Sequence, residues 1–178
     1  LAANEGGAAF AGMGIDGTYD IAGAAGPCIA TANFSGEPVT VMCRSSARRP
    51  FLHRESALGL RERTLAWVKF GLRFFDADLD GDDDLVVASG GLTDDEPITG
   101  IPRRQPLEIF AADGDRMYDA SREALGPLAG RGLLGRAVAV IDADLDGAPD
   151  LIVTDNGGRA LLLRNRSAPR GHFLALRL

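Results

Sequence analysis

Apolar and polar positions along this chain fall into short runs separated by turn-rich stretches, a spacing that suits β-strands. "FGLRFF" and "GRAVAVI" each lead into an acidic turn, and "DLVVAS" and "DLIVTD" follow those turns. After a further turn come "LEIF" and "ALLLR". The order recurs at an offset of 66 positions, from Asp76 to Asp142. "FLHRESALGL" at 51–60 and "MYDASREALG" at 117–126 keep the same offset and read as a fourth strand running into a short polar loop. A weakened copy lies upstream in "FAGMGIDGTYDIAGAAGPCIATANFSGEPVTVMCR", with a strand, the turn "NFSGEP" and the next strand. Units of four short strands at such a period are a propeller signature. The expected fold is all-β: β-propeller blades of four antiparallel strands, about three of them, divided at 1–60, 61–126 and 127–178. Because propellers use about four to eight blades, three belong to a segment of a larger propeller whose remaining blades are partners.

Composition changes this picture little. Aromatics are 6% and glycine numbers 23, which favours turn-rich β structure over a helical bundle. The net charge of -6 is local: the two stretches around Asp76 and Asp142 hold ten of the 25 acidic residues, leaving 15 against 19 basic. Neither nucleic acid nor an anionic membrane is therefore an expected partner. No apolar run reaches the roughly 18 residues of a membrane span, so membrane insertion is not expected. "LAANEGGAAFAG" lacks the basic and apolar regions of a secretory signal and has no initiator Met, as if the chain were cut from something longer.

The acidic turns carry the chemistry. Asp76, Asp78, Asp80, Gly81 and Asp84 match Asp142, Asp144, Asp146, Gly147 and Asp150 as D-x-D-x-D-G-x-x-D. Adjacent carboxylates repel unless water or cations intervene. Ca²⁺ takes six to eight oxygens, and alternate residues of a tight curl aim carboxylates at one centre. Glycine allows the sharp bend, the backbone carbonyl of Asp82 or Ala148 adds an oxygen, and the last aspartate closes the cage. The expected metal ligands are Asp76, Asp78, Asp80, Asp82 and Asp84, then Asp142, Asp144, Asp146, Ala148 and Asp150, holding two Ca²⁺ ions. An EF-hand shares the opening but needs Glu at position twelve and flanking helices; Val87 and Val153 stand there, in strands. The plain alternative is a solvated acidic turn without metal, against which stands the sharing of five positions in one strand-loop-strand setting. In the upstream copy Asp20 is followed by Ala22, Ala24 and Cys28, so that unit lacks three of four carboxylates.

Cys28 takes the place of the closing aspartate. A hairpin centred between Ser35 and Gly36, with strands near 28–33 and 38–43, sets it opposite Cys43, within reach of a disulfide; two buried free thiols are the alternative. Other signals for chemistry are thin. His53 and His172 are lone, with structural roles expected. No G-x-S-x-G or paired acids outside the loops point to catalysis, and an enzyme is not expected. "DNGGR" at 155–159 reads as a tight hairpin. The insertion "GGLTDDEPITGIPRRQP" reads as a surface loop, or else as a recognition loop, with Arg103 and Arg104 able to meet a carboxylate.

With "GMGID", "ANFSGEP", "FGLRFFDADLDGDDDLVVASG", "GRAVAVIDADLDGAPDLIVTDNGG", "LLLRN" and "GHFLALRL" laid out, the chain resembles the FG-GAP/VCBS repeat proteins, in particular the group carrying an ASPIC/UnbV region, to which cartilage acidic protein belongs. The resemblance implies an integrin-α-like β-propeller with structural calcium between the first two strands of a blade, ligated by Asp76, Asp78, Asp80, Asp84, Asp142, Asp144, Asp146 and Asp150. It also implies adhesion or recognition of a protein or glycan ligand in an extracellular or periplasmic setting. The terminal "GHFLALRL" is similar to only the opening strand of an ASPIC/UnbV region. The alternative is a substrate-binding propeller part of a secreted enzyme, such as a polysaccharide-cleaving protein.

Overall fold

A computed structural model describes residues 7, 9–21, 23, 24, 26–93, 96 and 100–168. Among the described residues the chain is all-β, with three antiparallel sheets, none of them closed. The first holds β1 (Gly14–Thr18), β2 (Cys28–Ala32), β3 (Thr40–Cys43) and β4 (Leu52–His53) in that order. The second holds β5 (Lys69–Phe75), β6 (Asp84–Ser89), β7 (Leu107–Asp113) and β8 (Arg116–Asp119). The third holds β9 (Gly135–Ile141), β10 (Asp150–Asp155) and β11 (Leu161–Leu163), with three strands among the described residues. Among the described residues no helix is long and apolar enough to cross a membrane.

The sheets stack face to face, and β6 shows why its sequence is apolar throughout. All six of its residues are buried. Side chains alternate between the two faces of a strand, so Leu85 and Val87 join one core cluster while Val86 and Ala88 join the other. The first cluster sets Ala30, Ala32 and Val41 against Leu72, Phe74 and Phe110; the second sets Phe75, Leu107 and Ile109 against Val138, Leu151 and Val153. Two glycines permit the close approach of successive first strands. A Cβ at Gly14 would lie 2.3 Å from the Phe70 carbonyl oxygen, and one at Gly71 would lie 2.9 Å from the Ala137 Cα. On the far side of the third sheet, Ile141 and Leu162 are 36% and 52% exposed, as is Ile15 of the first sheet at 59%.

Three features depart from the expected strand pattern. "MYDASREALG" does not end in an irregular loop: after β8, Ser121–Leu125 form a short helix followed by a 3-10 turn at Gly126–Leu128. The good helix formers Arg122, Glu123, Ala124 and Leu125 account for it, and the Asp119 carboxylate accepts the Ser121 N–H at its start. The fourth strand of the first sheet is only two residues long, because the chain turns at Arg54, whose N–H reaches the Val41 carbonyl at 2.8 Å, and Leu58 N–H then bonds back to Arg54. The 90–106 insertion is tied at its second end: Gln105, fully buried, exchanges two backbone hydrogen bonds with Leu133, and its side chain accepts from Val68 and donates to Pro102. Arg104 meets Asp155 at 3.6 Å.

Cys28 pairs with Cys43 in the β2–β3 register, and the two form a disulfide. Lys69, fully buried, sends its ammonium to the carbonyls of Phe34, Glu37, Thr64 and Trp67 at 2.6–3.1 Å, which ties the β2–β3 turn to the start of β5. His53 is hydrogen-bonded through Nδ1 to the buried Glu55 at 3.0 Å. His172 and the terminal "GHFLALRL" lie outside the described residues.

Candidate metal centre

Each acidic turn joins the first two strands of its sheet: residues 76–83 link β5 to β6, and 142–149 link β9 to β10. The bend is sharp because Leu79 and Leu145 have φ of 63° and 61°, and Gly81 and Gly147 have φ of 99° and 90°. For glycine this left-handed backbone costs nothing, whereas for leucine it is strained. Backbone N–H groups hold the curl. Asp76 accepts from Asp80 and Gly81, both at 3.0 Å; Asp142 accepts from Asp146 at 3.1 Å and Gly147 at 3.0 Å. Asp80 accepts from Asp82 at 3.1 Å, and Asp146 from Ala148 at 2.9 Å.

The closing aspartates reach furthest. Asp84 takes the Ala77 N–H on one oxygen and the Ala112 N–H on the other, so it ties the turn to the end of β7. Asp150 does the same with Ala143 and with Asn165, just beyond β11. Both are buried, at 2% and 1% exposure. In the first sheet the disulfide spans the same pair of strands from the equivalent position, Cys28 to Cys43 on β3.

The structure brings together oxygens of Asp76, Asp78 and Asp84 in one turn, and of Asp142, Asp144 and Asp146 in the other, each group lying within 4.8 Å. Asp80 and Asp82 lie in the same turn as the first group, and Ala148 and Asp150 in the same turn as the second. Three converging carboxylates with further oxygens beside them are an all-oxygen donor set, which fits a hard divalent cation such as Ca²⁺ and not a thiolate- or imidazole-seeking metal.

The first turn is strained electrostatically. Burial pushes the Asp84 carboxyl up to about 6, and the neighbouring charges of Asp78 and Asp80 add to this against the two backbone N–H bonds. Asp83 is raised as well, chiefly by burial, while its bond from the Thr18 hydroxyl pulls it back down. Asp83 also takes this loop across to the first sheet, through its N–H to the Asp20 carbonyl at 2.7 Å. In the second turn a protein cation already attends the carboxylates, since the Arg164 guanidinium contacts Asp144. Spacing alone missed Arg164, Asn165 and Ser167; "LLLRN" marked the place, without revealing that these side chains fold back over the loops. In comparisons with known proteins, no family model matches the chain and no curated protein is matched to it.

Proposed function

We propose that the chain is a calcium-binding repeat module of the FG-GAP/VCBS type, a segment of a β-propeller whose cations are structural and whose exposed surfaces serve adhesion or recognition outside the cytoplasm. The observation that carries the reading is the duplication of a whole scaffold: two turns with the same aspartates, the same left-handed leucine and glycine, and the same backbone N–H bonds onto the first and last carboxylates. Asp76, Asp78 and Asp84 would hold one cation, and Asp142, Asp144 and Asp146 the other. A bound dication converts carboxylate repulsion into attraction in the folded state alone. The regular face-to-face stacking and the apolar far face of the third sheet, with Ile141 and Leu162, suit further sheets of the same kind as neighbours.

Calcium titration by calorimetry tests the reading, with melting followed with and without chelator. Two ions should bind, and at a free concentration of 100 times the dissociation constant each should add about 2.7 kcal/mol of stability. A chain that takes up no calcium, with one melting curve in both conditions, refutes it.

A further inference from the structure

We infer that Asn165 and Ser167 join the two acidic turns into one cation-responsive unit, so that loading either turn raises the affinity of the other; this rests on the calcium reading above. The connection is continuous. Asp150, the closing carboxylate of the second turn, accepts the Asn165 N–H at 2.8 Å. The Asn165 side-chain amide donates to the Ala77 carbonyl at 2.9 Å, and the Ser167 hydroxyl donates to the same oxygen at 2.9 Å. Ala77 lies in the first turn, and its own N–H donates to Asp84, the closing carboxylate there, at 2.9 Å. The Ser167 N–H donates to Asn165 Oδ1 at 2.9 Å, which fixes the amide with its nitrogen toward Ala77. Both closing carboxylates thus attach to one short segment, the second through its backbone and the first through side chains that grip its partner peptide.

The preceding sheet pair is joined differently, through the Thr18 hydroxyl on Asp83 and the Asp83 N–H on the Asp20 carbonyl. There the turn after β7 packs on the metal-poor loop of the first sheet, where a Cβ at Gly23 would lie 3.0 Å from the Asp115 Cα. In the second pair, polar side chains stand at the junction, and they bind the one carbonyl that lies between Asp76 and Asp78. A cation drawing Asp76, Asp78 and Asp84 together orders the Ala77 peptide, which orders Asn165, which holds Asp150. The second cation then meets a turn whose ordering cost is already met. Linkage makes the effect reciprocal, and coupling of this kind is typically about fivefold or more in affinity.

The test is a cycle read by calcium calorimetry on four proteins: the unaltered chain, Asp144→Asn to weaken the second turn, Asn165→Ala with Ser167→Ala, and all three substitutions together. Asp144→Asn should weaken calcium binding at the first turn by about fivefold or more in the unaltered background. It should change that affinity less than twofold once Asn165 and Ser167 are gone. Equal effects in both backgrounds, or no effect in either, overturn the coupling while leaving two independent calcium sites. No uptake by any of the four overturns the calcium reading itself. Ser167→Ala alone, which removes one of the two donors to Ala77, gives an intermediate loss of coupling and keeps the test open if the double substitution fails to fold. Melting in excess chelator separates a merely structural role: coupling requires that the substitutions reduce the calcium-induced rise in Tm, not only the Tm of the metal-free chain.

Discussion

Opening the Cys28–Cys43 bond by reduction should cost the folded chain about 3 kcal/mol. The closed loop has a sequence separation of 15, and the chain-entropy relation assigns about 3 kcal/mol at 25 °C to a loop of that length. Replacing both residues by alanine removes the sulfurs as well, and Cys28 and Cys43 are 1% and 8% exposed in the cluster that holds Ala30, Val41 and Leu85. Each should add about 1 kcal/mol for the space left behind, so the double variant falls by about 5 kcal/mol. In a chain of this size each kcal/mol moves Tm by roughly 2–4 °C, which makes the reduced protein melt roughly 6–12 °C lower. Urea unfolding with and without reductant measures this directly, in chelator and in calcium. The loss should be the same in both, because the first sheet carries no complete acidic turn. Coincident unfolding curves before and after reduction, or two titratable thiols in unreduced denatured protein, would refute the reasoning.

Leu145→Gly should stabilise the chain by about 0.5–1 kcal/mol, since the leucine holds φ of 61° with its side chain 72% exposed; a lower Tm for the variant would count against backbone strain at that site. Stability should also dip near pH 8. Burial raises Glu108 from 4.5 to about 8, with Asp119 adding to it, so stability present below pH 4.5 is lost as pH climbs to about 8. Burial lowers Lys69 from 10.5 to about 8 against the pull of Glu108 and Glu37, so the cost of its charge is present below about pH 8 and is relieved between there and 10.5. Denaturant midpoints in chelator between pH 6 and 8 should fall for the unaltered chain and stay level for Glu108→Gln; a rise over that range contradicts the assignment.

Much of this architecture was legible because it is local. Strand runs, the 66-position offset and the D-x-D-x-D-G-x-x-D turns are short-range patterns, and the hairpin arithmetic that opposed Cys28 to Cys43 depends on one turn alone. Contacts between sheets were not legible. Nothing near Lys69 in sequence announces that the Phe34 and Glu37 carbonyls will surround its ammonium, and nothing near Asn165 points to Ala77, 88 positions earlier. The Ser121–Leu125 helix was missed for a different reason: the repeat offset assigned it the role of 51–60, where the chain follows β4 with turns.

Lys69 has a bearing on how the molecule meets its surroundings. An ammonium ringed by four carbonyl oxygens is chemically akin to a dehydrated monovalent ion in a cage, but this ion is covalently owned by the chain. It cannot be dialysed away, chelated or exchanged for another cation. At the opposite extreme, the acidic turns in the calcium reading borrow their positive charge from solution. One molecule then contains both a junction indifferent to ionic composition and two that report it, and a fall in external calcium would loosen the acidic ends of the second and third sheets while the Lys69 junction between the first and second stayed closed.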